Sequence, residues 1–345
     1  MTRYRLAELV LAAALLILAP AAQAQKWSKA APFPDASEEL YGIAVGGKLY
    51  VFGGLAPEWT PKALVYEYDP AANKWTKKNP MPLPSHHVAL AEVNGKVHVI
   101  GGFTKPRNGP TAWVPIDNHW EYDPAADSWK PLAPLPTKRG APVAAVVGGK
   151  IYVIGGATTH PGSTETSIHP ARPHRSSDAN EVYDPATDSW SARSPMPTPR
   201  NHAAVGVVNN KIYVLGGRLG AGFITRASNT DITEMYDPAS DQWGPLLAPM
   251  PTARSALAWG TYKGRIYVAG GEVRNATMSA TYRSVEAYDA AANRWSVLPP
   301  MEIARHGLAG DIIGNKFHLV SGDVQSGSGP AAHVETDVHE VLELD

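Results

Sequence analysis

Hydrophobic positions along this chain come in short β-branched and aromatic runs, and five of them close on Gly-Gly. The five are Tyr50-Val51-Phe52-Gly53-Gly54, His98-Val99-Ile100-Gly101-Gly102, Tyr152-Val153-Ile154-Gly155-Gly156, Tyr213-Val214-Leu215-Gly216-Gly217 and Tyr267-Val268-Ala269-Gly270-Gly271. A sixth, altered copy reads His318-Leu319-Val320-Ser321-Gly322. With Ser321 in the sixth slot, the first glycines stand 48, 54, 61, 54 and 51 residues apart. A period near 50 predicts an array of like supersecondary units.

Each unit follows one grammar. A small-apolar alternating run, such as Ala203 to Val208, precedes a Gly or Asn turn and the run that ends in diglycine. A loop of variable length leads to a third run ending in Tyr-Asp-Pro at residues 68–70, 122–124, 183–185 and 236–238, with Tyr288-Asp289-Ala290 as the variant. A Trp follows at a fixed offset from that Tyr: Trp75, Trp129, Trp190, Trp243 and Trp295. Val, Ile and Tyr suit a pleated, half-buried surface. Asn94-Gly95, Gly148-Gly149 and Asn209-Asn210 supply the positive φ that tight hairpins need. Four short strands per unit are predicted. Such a sheet buries both faces only by stacking on its neighbours around a ring.

Diglycine, Tyr-Asp and Trp in register, five times over, make the chain resemble the kelch-repeat β-propellers. The resemblance implies an all-β fold of six four-stranded antiparallel blades, at about 37–82, 85–136, 138–197, 199–251, 253–301 and 303–345. The last unit lacks a Trp strand, while Lys26-Trp27 and Pro32-Phe33-Pro34 match the missing piece. Residues 25–34 are therefore expected to complete the sixth blade and clasp the ring.

The first 24 residues stand outside the repeat. Arg3 and Arg5, an apolar stretch from Leu9 to Leu18, and Ala22-Gln23-Ala24 read as a secretory signal cleaved after Ala24. A periplasmic or secreted, monomeric protein is expected, with no membrane insertion once the signal is removed. The chain has no cysteine, so thiol nucleophiles and cysteine-ligated metals are excluded. Its net charge of −1 argues against nucleic acid as a partner.

Candidate chemistry follows from counting back from each diglycine. Sixteen positions upstream stand Ser37, Ser85, Arg139, Arg200, Arg254 and Arg305; fifteen upstream, Glu38, His86, Gly140, Asn201, Ser255 and His306; fourteen upstream, Glu39, His87, Ala141, His202, Ala256 and Gly307. These columns should ring one mouth of the central channel. Arg139, Arg200, Arg254 and Arg305, with His86 and His306, are the candidate ligand-binding set, because guanidinium forks suit carboxylates and phosphates. The other reading of the arginines is structural, bonding backbone carbonyls or turn aspartates between blades. Glu38, Glu39, His87 and His202 are the candidate acid–base groups.

Lesser candidates are the blade-three insert, residues 157–180, with His160, His169 and His174, and the stripe His333, Glu335, Asp337, His339. The stripe reads as the wet side of an outer strand, so no metal and no cofactor are expected. Trp59, Trp113, Trp120 and Trp259 fall outside the repeat column, and the first two sit in loops where aromatic rings line sugar or peptide sites.

The function expected is a binding module for an anionic partner, an acidic sugar or an acidic peptide. The alternative is a periplasmic mutarotase or epimerase, since exported kelch propellers that the chain resembles include sialic-acid mutarotases. A Glu and a His close together in an enclosed pocket would favour the enzyme. The resemblance also extends to galactose oxidase, but that copper-radical chemistry needs a tyrosine–cysteine cross-link and is excluded here.

Overall fold

The computed structural model describes residues 26–327 and 333–345; the expected signal, residues 1–24, lies outside the described residues. Blade one shows the unit: strands Glu38–Val45, Lys48–Ala56, Thr60–Asp69 and Lys74–Lys77 pair antiparallel in that order. The described residues contain six such four-stranded sheets. The first strand of each contacts the first strand of the next, and the sixth returns to the first, so the ring is closed. In the last sheet Trp27–Lys29 pairs with His339–Glu343, setting Trp27 opposite Leu342. The N-terminal strand completes the sixth blade, as the chain ends suggest.

The repeat residues tie blades together. Asp69 accepts N–H bonds from Ala71 and Ala72 at 2.9 and 3.2 Å, closing its turn. The Tyr236 hydroxyl donates to Asp241 at 2.6 Å, and the same carboxylate oxygen accepts the Ser194 N–H of the preceding blade at 2.8 Å. Each repeat Trp donates its indole N–H back across a blade boundary, Trp243 to the Ser194 carbonyl at 3.0 Å and Trp27 to the Pro299 carbonyl at 3.2 Å. Apolar clusters fill the space between neighbouring sheets.

The diglycines let adjacent blades approach. Gly155 has φ +70°, and a Cβ there would lie 2.4 Å from the Arg200 carbonyl oxygen of the next blade. Left-handed backbone and a backbone clash act together, so Gly155→Ala is expected to lower unfolding stability by about 1–3 kcal/mol, read from a urea titration. No helix among the described residues is long and apolar enough to cross a membrane.

The stripe from His333 to His339 is not one strand face. Its strand begins only at His339, which is buried beside His318 at 2.9 Å, whereas His333 turns toward Glu38. Alternation cannot place residues that precede the strand.

Candidate functional site

The mouth of the channel is built by backbone conformation. Glu39, His87, Ala141, His202, Ala256 and Gly307 all have φ between 52° and 59°. Ala141, His202, Ala256 and Gly307 each donate a backbone N–H to the carbonyl of the preceding member at 2.8–3.2 Å, and Leu40 donates to the Gly307 carbonyl at 3.1 Å. Left-handed backbone is costly for residues with a Cβ. Here this belt of bonds between blades holds it in place. Only Glu39, His87 and His202 carry functional side chains in this ring; the other three members are Ala or Gly.

Around the belt lies an ionised floor. Glu38 is 3.4 Å from Nε2 of His306 and 2.7 Å from Nδ1 of His333. Glu39 is 3.0 Å from Nε2 of His87 and 4.0 Å from Nε2 of His306. Glu272 is 3.7 Å from His306, pairs with Arg218, and accepts bonds from Ser326 Oγ at 2.9 Å and the Gly327 N–H at 2.7 Å. Arg218 donates as well to Ser255 Oγ, the Gly222 carbonyl and Nε2 of His202.

Opposite stands an aromatic wall. Trp113 and Phe223 stack with centroids 4.0 Å apart, and Trp59 lies 5.4 Å from Phe223. Floor and wall border a half-open cavity of about 340 Å³, with His169, Arg218 and Arg274 also lining it. Arg274 is engaged by the Gly327 carbonyl, and no carboxylate of the described residues lies within 4 Å of it. The size is that of a small-molecule pocket.

The two adjacent carboxylates are driven apart electrostatically. Burial raises Glu38, partly offset by His333 and His306, and its pKa is pushed up to about 7. Burial also acts to raise Glu39, but His87, His306 and Arg218 outweigh it and hold the group down at about 2. For His306, burial is outweighed by Glu272, Glu38 and Glu39, so its pKa is raised. His202 is driven well below the usual imidazole range by burial and then by Arg218.

Glu39, His87 and His202 have the spacing of metal ligands. The Nε2 lone pair of His202, however, already accepts an Arg218 N–H at 3.1 Å, and a metal there would meet a guanidinium. Two similar groupings contain His306 or His333, each already set against a carboxylate.

The arginine column lies elsewhere. Arg139, Arg200, Arg254 and Arg305 are at most 1% exposed, and none lines the cavity. Each is turned into its own blade. Arg139 meets Glu181 at 2.5 Å and donates to the carbonyls of Gly155, Thr137 and Val153. Arg200 pairs with Glu234, Arg254 with Glu286 and Arg305 with Glu340. Of the other candidates, Glu38, Glu39 and His306 line the cavity, while His87 and His202 stand behind Glu39. His86 packs against Phe103 and Trp113. The blade-three insert brings His169 to the cavity and buries His174 against Phe223.

Sequence reasoning missed the residue directly after each diglycine: Leu55, Phe103, Ala157, Arg218, Glu272 and Asp323. Each lies opposite the fifteen-upstream residue of its own blade, as Glu272 does Ser255 and Asp323 does His306. The column is apolar in blades one to three and charged in four to six, and its Leu55, Arg218 and Glu272 line the cavity. The repeat itself carried that signal, one step beyond the glycines.

Comparison with known proteins gives concordant matches. A family model described as the KLHDC2/KLHL20/DRC7 Kelch-repeats domain matches residues 18–217, more than half the chain, and the Kelch motif matches 199–246 and 253–302. The chain is 29% identical over 231 residues to Kelch-like protein terF of Aspergillus terreus, covering 66% of this chain and 47% of that one. It is 29% identical over 287 residues to human Kelch-like protein 23, covering 81% and 45%. It thus spans less than half the length of these relatives. The solved structure titled "Structure of YjhT" superposes with a TM-score of 0.72 at 19% identity, over 89% of this chain and 95% of that one.

Proposed function

The chain belongs to the kelch-repeat proteins, and from that premise we propose that its cavity binds a small acidic saccharide and exchanges that sugar's anomers. The observation that carries this reading is Glu38 beside His306, 3.4 Å apart on the floor of a half-open pocket walled by stacked aromatic rings. Aromatic faces take the apolar face of a sugar ring, and Arg274 offers a guanidinium to its carboxylate.

The proton balance is simple. Glu38, in its carboxylate form, takes the proton of the anomeric hydroxyl while protonated His306 gives one to the ring oxygen. The bond from the anomeric carbon to the ring oxygen breaks and the carbonyl forms. The carbonyl turns, both protons return, and the ring closes on the other face. Glu272, with Glu39, which stays charged throughout, keeps His306 protonated. Two carboxylates with opposite shifts thus have two roles. The leader-like residues 1–24 support an exported protein that meets free sugar outside the cytoplasm.

Anomer exchange on a panel of acidic and neutral reducing sugars, followed by NMR, tests this. Glu38→Gln is expected to lower kcat by about 10²–10⁴-fold with KM little changed, and Arg274→Ala to raise KM for acidic sugars. With Glu38 raised to about 7 and His306 raised above its usual value, the rate falls on the acid side as Glu38 protonates. It falls on the alkaline side as His306 loses its proton. Binding without exchange would leave a receptor for acidic sugars; neither binding nor exchange would sink the proposal.

A further inference from the structure

A second cavity lies further along the same inner strands, toward their hairpin turns. It measures about 310 Å³ and is lined by residues 41–43, 90–92, 144–146, 205–207, 259–261 and Asp311. Between it and the saccharide pocket stands an aromatic plug. Tyr41 and Trp259 meet edge to face with centroids 6.3 Å apart, and only a water-sized void of about 10 Å³ separates them from Glu39 and His202. The two cavities are separate sites.

Trp259 breaks its column. The equivalent residues of the other blades are Gly42, Leu90, Ala144, Val205 and Gly310, none larger than leucine. Gly42 and Gly310 pack so closely that a Cβ on Gly42 would sit 2.9 Å from the Gly310 nitrogen. That close approach leaves room beside them for one indole. Apart from Trp259 and Tyr41 the walls are mostly aliphatic, and the lining contains no Lys, Arg or His. It contains two carboxylates, Glu92 and Asp311. Neither lies within 4 Å of a basic side chain among the described residues.

Asp311 is held rigidly, accepting the Ala44 N–H at 2.8 Å and the Ile312 N–H at 2.7 Å. It lies deep within the ring, mostly buried, with part of its surface open to the channel. A negatively charged, apolar chamber with an indole at its end matches one chemical class.

We propose that this cavity binds a small organic cation, a substituted ammonium whose charge lies beside Asp311 and whose apolar body meets Trp259. The two carboxylates do not form a metal-spaced cluster with any third ligand among the described residues, so a cation carrying its own apolar surface is favoured over a bare ion. Tyr41, the remaining titratable group facing the chamber, stays neutral because burial and Glu39 raise it.

Benzyltrimethylammonium titrated into the full chain by calorimetry at pH 8 tests the proposal, with benzyl alcohol as the neutral control. Saturable binding is expected, at least tenfold tighter than the alcohol. Asp311→Asn should weaken it at least tenfold, and Ala144→Phe, which fills the chamber and leaves Asp311 intact, should abolish it. Glu38→Gln, in the other pocket, should leave it unchanged, so the two sites fail or stand separately. Burial raises Asp311 to about 6; as pH falls through that value the carboxylate protonates and binding should be lost. No saturable binding by the intact chain, equal affinity for the alcohol, or undiminished binding by Ala144→Phe would each overturn it.

Discussion

Arg254→Ala is expected to destabilise the propeller by about 3–5 kcal/mol without changing any group that lines the saccharide cavity. The guanidinium is fully buried, meets Glu286 at 2.5 Å, and donates to the carbonyls of Gly270 and Thr252. Glu286 also accepts the Thr252 hydroxyl at 2.7 Å. Truncating the arginine leaves this carboxylate, 1% exposed, as an uncompensated charge between sheets. Its two carbonyls lose their donors as well. The reverse deletion, Glu286→Ala, should cost a similar amount. The double variant Arg254→Met, Glu286→Leu should recover most of the loss, because two apolar groups leave no stranded charge. Urea unfolding of the four proteins compares the three losses. A ligand-binding arginine would behave otherwise: its loss would weaken binding and leave the unfolding midpoint in place.

The same arginines show what was legible in the sequence. Their repeat spacing was, and with it the blade count, the closing N-terminal strand and the ring of residues around the mouth. Those features depend on local periodicity, which a linear string preserves. Where a side chain points depends on its partner across the sheet. The partner was also in the string. Two residues before each repeat Tyr, Glu181, Glu234 and Glu286 stand in blades with Arg139, Arg200 and Arg254, and Glu340 occupies the matching position beside Arg305. Blades one and two carry Ser37 and Ser85 in the arginine slot, and there the glutamate slot holds Tyr66 and Trp120. Arginine and glutamate come and go together, the mark of a buried pair. Glu38, Glu39 and His306 were legible as mouth residues from their places fifteen and fourteen positions before the diglycine slots. Arg218 was legible one step beyond the fourth diglycine; the contribution of Arg274 was not, since it depends on how the chain beyond the fifth diglycine packs on Gly327.

Acid should unfold this protein steeply between pH 6.5 and about 4, through two buried histidine pairs. His98 and His119 in blade two lie 2.9 Å apart, as do His318 and His339 in blade six. All four are at most 2% exposed. Each pair packs on the Tyr and Trp of a neighbouring blade: His119 on Tyr183 and Trp190, His339 on Tyr68 and Trp75. Burial dominates in each. It depresses His98 and His318 to about 4, and His119 and His339 to about 3, with the partner imidazole lowering the latter two further. Unfolded, each imidazole titrates near 6.5. The folded state therefore binds fewer protons below that pH, and stability falls as pH falls. The contribution is complete above 6.5 and is lost on the way down to the folded values. At pH 5 the difference is on the order of 2 kcal/mol per imidazole, enough in sum to challenge a fold of ordinary stability. Thermal midpoints measured from pH 8 to pH 4 should trace the loss. In blades one, three, four and five the His98 position holds Tyr50, Tyr152, Tyr213 and Tyr267, so the ring accepts a phenol there. His98→Tyr combined with His318→Tyr should reduce the slope below pH 6.5, His119 and His339 still contributing, while leaving the midpoint at pH 8 little changed. An unaltered slope in that variant would assign acid sensitivity to other groups, His86 and His202 first among them, which burial also drives well below the usual imidazole range.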